Sequence, residues 1–118
     1  MGFRRALLGG AVLITSQGCT LGALNYIDDI AQRIKREVPS DLLPEGDTDL
    51  LFRMYAVLAL SLGEETDVAN VHDAWSAWMS QSDSGHESIE PFDKLSEDVR
   101  AQDEPFAEAI RKVAVGLR

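Results

Sequence analysis

Apolar residues recur at helical spacing along most of this chain. Ile27, Ile30, Ile34 and Val38 follow one another at intervals of 3, 4 and 4, which puts them on one face of an amphipathic helix over residues 26–38. Asp28 and Asp29 lie in its first turn and Lys35 and Arg36 near its end, an order that complements the helix dipole. Pro39 stops it. Residues 39–48 contain Pro39, Pro44 and Gly46 and read as a connector. Asp47 or Thr48 then caps a second helix that runs to about Leu62 and ends at Gly63. Leu50, Leu51, Phe52, Met54, Tyr55, Val57, Leu58 and Leu60 cover most of its circumference, which predicts a central, buried helix.

Thr66 or Asp67 caps a third helix, whose stripe is Val68, Val71, His72, Trp75, Trp78 and Met79. Polar residues at 80–88 turn the chain. Ile89-Glu90-Pro91-Phe92 is expected to be extended, because the residue before a proline avoids the helical region. Ser96 opens a short helical turn. Asp103 is placed as the N-cap of a final helix with Pro105 in its first turn and Phe106, Ile110, Val113 and Leu117 on its buried edge. No segment alternates with period two. The pattern therefore predicts an all-α fold, a compact bundle of about four main helices with an ordered, proline-containing loop before the last.

Composition changes this picture at the N-terminus. Residues 1–24 hold no acid, two arginines at 4 and 5, and an apolar run from Ala6 to Ile14. That order resembles a secretory signal, and the run is too short to span a bilayer as a helix. Three readings stand: a signal peptide or lipid anchor through Cys19, an extraneous or disordered leader, and a structural helix. Residues 25–118 form the single folded domain. All 20 acidic residues and nine of the 11 basic ones fall from Asp28 onward, a balance of −11. Such a surface repels phosphate backbones, which argues against nucleic acid as a partner. One cysteine excludes an internal disulfide and a Cys-rich zinc site. No pair of histidines or Glu-x-x-His spacing puts metal ligands on one helical face, so neither a metal nor a cofactor is expected.

The residues able to carry chemistry cluster in the second half. Trp75 and Trp78 can stack on a planar ligand or anchor the core; Trp75 is the core choice and Trp78, nearer the rim, the ligand choice. His72 lies one turn before Trp75 and is expected to make a buried hydrogen bond to the loop near Pro91, with His86 approaching from the other side. Asp73 adjoins His72 in sequence but points about 100° away around the helix. Asp93, Asp98, Asp103 and Glu104 number no more than an acidic surface gives by chance. No glycine-rich phosphate loop or nucleophile elbow is present.

The spacing of Val71-His72-Asp73-Ala74-Trp75, His86, Pro91-Phe92-Asp93-Lys94-Leu95, Asp103 and Ile110 resembles the ryanodine-receptor-type repeat domain over residues 71–117. From Asn25 the whole body also resembles small domains of actinobacteria and their phages. The first resemblance implies a cytoplasmic recognition module that meets a protein surface or a nucleotide-derived signal. The sequence thus points to a non-enzymatic module binding a protein partner or a small ligand, with Trp78, His86, Pro91, Phe92 and His72 as candidate contacts. The alternative is an accessory or structural protein that oligomerises or docks through its acidic face. Location is expected to be cytoplasmic, or secreted or membrane-anchored if residues 1–24 act as a signal or lipid anchor.

Overall fold

In the computed structural model, which describes residues 25–117, the chain enters its first helix through a reciprocal cap. Asn25 accepts a hydrogen bond from the Asp28 backbone N–H at 2.9 Å, and the Asp28 carboxylate accepts one from the Asn25 N–H at 3.3 Å. Two of the donors that every helix start leaves orphaned are thereby satisfied. Helix α1 runs Tyr26–Glu37 and buries Ile30, Ala31 and Ile34. Val38 turns extended ahead of Pro39. The signal, lipid-anchor and leader readings, with Cys19, fall outside the described residues.

Helix α2 (Asp49–Ser61) follows a short turn at Ser40–Leu42. Thr48 occupies its cap position but offers no side-chain bond; the Asp47 carboxylate instead accepts from the Asp49 N–H at 3.0 Å. This helix is central, contacting α1, helix α3 (Val68–Met79) and helix α5 (Glu104–Gly116). Leu51, Phe52, Tyr55, Ala56 and Ala59 are buried. The expectation of a buried helix holds on that side alone: Leu50, Val57 and Leu60 stay 43%, 51% and 47% exposed. Three neighbours of this size do not encircle a helix, so part of its apolar surface remains uncovered.

Gly63 ends α2 at φ +60°, a left-handed conformation that costs a residue with a Cβ about 1 kcal/mol or more. The turn Gly63–Glu65 leads to Thr66, whose backbone carbonyl accepts from the Arg111 guanidinium at 2.8 Å. That bond fastens the α2–α3 turn to α5. Asp67 and Asn70 form a second reciprocal cap at the start of α3, both bonds 2.9 Å. After α3 the chain makes successive turns, a short helical turn at Phe92–Lys94 and the five-residue helix α4, Glu97–Ala101. Phe92 therefore starts a turn and does not end an extended strip. Ser96 accepts from the Val99 N–H and opens α4 as expected.

The core joins α1, α2 and α5 through Ile34, Phe52, Tyr55, Phe106 and Ile110, with Val71 from α3. Phe52 and Tyr55 meet edge to face at 5.3 Å, and the Phe106 ring tilts against both, an arrangement that favours aromatic quadrupoles. The fold is an all-α bundle, as the pattern predicts, with no strand among the described residues. No described helix is long and apolar enough to cross a membrane.

Gly63 gives a direct check on this geometry. A Cβ at that position meets nothing within 4 Å, so the cost of a side chain there is conformational. Gly63→Ala is expected to lower stability by about 1 kcal/mol in urea unfolding, and Gly63→Asn by less, since Asn tolerates the left-handed region.

Candidate functional site

One turn of α3 places His72, Trp75 and Ser76 on a common face. His72 is 2% exposed. Its ring stacks on Trp75 with centroids 5.8 Å apart and meets the Phe92 ring at 6.1 Å. His86 stands edge-on to Trp75 at 5.1 Å. The loop after α3 thus folds back onto the indole, with both imidazoles at the seam.

Hydrogen bonds fix the protonation pattern of both rings. A carbonyl oxygen only accepts, so His72 Nε2 carries a hydrogen and donates it to the Glu90 carbonyl at 2.7 Å. This is the expected bond to the loop beside Pro91. His86 Nδ1 accepts from the Ser88 N–H at 3.0 Å, which leaves the hydrogen of its neutral ring on Nε2. The other nitrogen of His72, Nδ1, faces the Asp103 carboxylate at 3.7 Å. With Nε2–H committed to Glu90, a neutral His72 presents a lone pair to that carboxylate. The contact is attractive only when one of the two groups carries a further proton.

Asp103 is not the side-chain cap that the sequence suggests. Its backbone is helical (φ −86°, ψ −12°) and its carboxylate takes no bond from the first turn of α5. Two causes act together. Gln102 and Asp103 continue helical dihedrals out of α4, whereas a capping side chain needs extended backbone. Pro105 also removes one of the two N–H groups, those of the second and third helical residues, that such a cap can bind. The carboxylate turns inward instead. Burial pushes its pKa up from 3.8 to about 6, and the neighbouring His72 pulls the other way.

Tyr55 completes the group from α2. It is 1% exposed, and its hydroxyl makes no hydrogen bond to any described residue. Burial, and then the charge on Asp103, hold its proton in place by raising the pKa above the usual phenol range. Tyr55, His72, Trp75, His86 and Asp103 line a cavity of about 600 Å³. Asp41 and Leu42 from the connector and Asp98 from α4, all exposed, form its rim, and among the described residues neither lysine nor arginine lines it.

The cavity takes in two of the five residues that the sequence singles out, His72 and His86. Trp78 packs against the main core and is not on the wall; three residues along a helix rotate a side chain by about 60° from Trp75. Phe92 lies behind His72, where the Arg100 guanidinium covers it at 5.7 Å. Pro91 is exposed at the start of its turn. Tyr55, Trp75 and Asp103 are the wall residues that the sequence leaves in structural roles. A tyrosine on a helix face that phenylalanine would fill equally well is the available signal for Tyr55.

Ser76 Oγ lies 3.2 Å from His72 Nε2, so Ser76, His72 and Asp103 have the order of a hydrolytic triad. The chemistry does not follow. A triad histidine needs a lone pair on the nitrogen facing the serine, and here that nitrogen donates to Glu90. Ser76 is also absent from the cavity wall. Among the described residues no three histidine, cysteine or acidic side chains converge as a metal site.

Residues 25–115 match the model of a family described as a domain of unknown function, DUF7701. The chain belongs to this family. No curated protein and no solved structure shows significant similarity to it. The DUF7701 match spans all four main helices and replaces the ryanodine-receptor-type assignment of residues 71–117, for which no family match is found. That likeness rested on a few spaced residues. It already failed at Glu87, where the repeat family has proline, and in the loop at 80–85, which lacks that family's aromatics.

The buried carboxyl sets a sign for the pH dependence of stability. Asp103 binds its proton more tightly folded than unfolded, so this stabilising contribution is full below pH 3.8 and disappears as pH rises through about 6. Asp103→Asn, which mimics the protonated form, is expected to stabilise the domain by about 1–3 kcal/mol at pH 7.5 and by clearly less at pH 4. Paired urea titrations at the two pH values check it.

Proposed function

We propose that this DUF7701 domain is a non-enzymatic recognition module that receives a small ligand in the cavity between α2, α3 and the α4–α5 corner. The observation that carries this reading is the Tyr55 hydroxyl, buried on the cavity wall without a hydrogen-bond partner among the described residues. An unsatisfied buried polar group costs about 1–3 kcal/mol. A fold keeps such a cost where a ligand or a bound water answers it. Asp103 adds to the case, since its ionised form is disfavoured in the unliganded domain. The volume lies within the range of small-molecule sites. The commitment of His72 Nε2 to Glu90 supports binding over catalysis.

Tyr55→Phe separates this reading from a purely structural one. The variant is expected to be more stable by about 1 kcal/mol, because the orphan hydroxyl is gone. It is also expected to bind any fragment found by thermal shift on the full chain roughly fivefold to tenfold more weakly. Fragments that raise Tm equally in both proteins, or a broad fragment set that raises neither, count against a ligand role for the cavity.

A second reading draws on the outer face of α2, where Leu50, Val57 and Leu60 are exposed. It is self-association through this helix. Sedimentation equilibrium gives the answer: a dimer that Val57→Lys dissociates supports it, and a monomer at all concentrations removes it.

A further inference from the structure

The cavity wall carries charge of one sign. Asp41, Asp98 and Asp103 line it, and among the described residues no lysine or arginine does. Two arginines of α4 and α5 are engaged with other groups. Arg100 donates to the Leu95 carbonyl at 3.0 Å and lies over Phe92, and Arg111 serves Thr66 and Glu104. Among the described residues none of the three aspartates pairs with a lysine or arginine. Only His72 approaches one of them, Asp103, at 3.7 Å, beyond hydrogen-bonding distance.

Acidic side chains alone are common on so anionic a surface. What distinguishes this group is Tyr55, which lines the same cavity as Asp103 and whose hydroxyl is buried and without a hydrogen bond to a described residue. A phenol oxygen accepts one bond while donating another. Carboxylate and phenol together offer acceptors to a head group rich in N–H donors, and the Trp75 indole gives an apolar flank for its body. An anion in the same place would meet three carboxylates and no lysine or arginine among the described residues, which is costly in a partly desolvated site.

We propose that the cavity selects small organic cations, with an ammonium or guanidinium head seated between Asp103 and the Tyr55 hydroxyl and an apolar body against Trp75. Asp41 and Asp98 at the rim raise the local concentration of such ligands. Charge-assisted hydrogen bonds to Asp103 supply the selectivity. This assignment rests on the recognition reading given above and names its ligand class.

Matched triplets of probes test it on the full chain. On a phenylethyl and on a butyl body, the ammonium ion, the neutral alcohol and the carboxylate are compared by calorimetry and thermal shift at low salt. The ammonium members are expected to bind, the carboxylates not, and Asp103→Asn to weaken the ammonium ions roughly tenfold or more. Tyr55→Phe is expected to weaken them less. Alcohols or carboxylates that bind as well as the ammonium ions overturn the charge assignment and leave the recognition reading standing. Ammonium ions whose affinity is the same in Asp103→Asn also overturn it. If no triplet member binds, the cation proposal fails, and the fragment set then decides the recognition reading separately.

Discussion

The hydrogen bond from His72 to the Glu90 carbonyl is the contact on which the second half of the domain depends. Residues 80–91 have no regular ladder of backbone bonds, only successive turns. This loop therefore needs an anchor from outside itself, and a buried imidazole supplies one. The same bond fixes which ring nitrogen carries hydrogen, and so decides what Asp103 faces. It also removes the base that Ser76 would need. One interaction thus sets the loop position, the polarity of the cavity and the absence of a working triad.

Around that anchor the aromatic rings divide by role. Phe52, Tyr55 and Phe106 interlock at the centre. Trp75, His72, His86 and Phe92 form a second cluster that closes the loop over α3. Tyr55 has its ring in the core and also lines the cavity that His72, Trp75, His86 and Asp103 share. Packing alone would accept phenylalanine there. The oxygen is the part that the core does not explain, and it lies where the cavity reaches α2.

Local features were readable from the residues themselves. Helix ends followed Pro39, Gly63, Asp67 and Ser96, because caps and breakers act within a few positions of one another. The His72 bond to the loop was readable too, since a histidine on an apolar stripe must satisfy its nitrogens. Three things were not. The inward turn of Asp103 depends on α4 leaving it in a helical conformation, which an Asp before an apolar helix does not reveal. The wall shared by Tyr55 and Asp103 joins residues 48 positions apart, and periodicity within a helix is silent about its neighbours. The exposed side of α2 depends on how many elements surround it. The repeat-family likeness failed for a related reason, because spaced residues within the second half carry no information on α1 and α2, which the DUF7701 match includes.

The clasp between Arg111 and the Thr66 carbonyl has a consequence for how the chain reaches its fold. Helices α1 and α2 are neighbours in sequence and pair as a local hairpin, the kind of contact that forms early. Their shared apolar surface is closed by α5, which follows both in the chain. On a ribosome, where domains assemble as the chain emerges, the first two helices leave that surface open until α5 has followed them. The arginine that then reaches back to the turn after α2 acts as the latch on a structure whose opening moves are local and whose closing move is long-range.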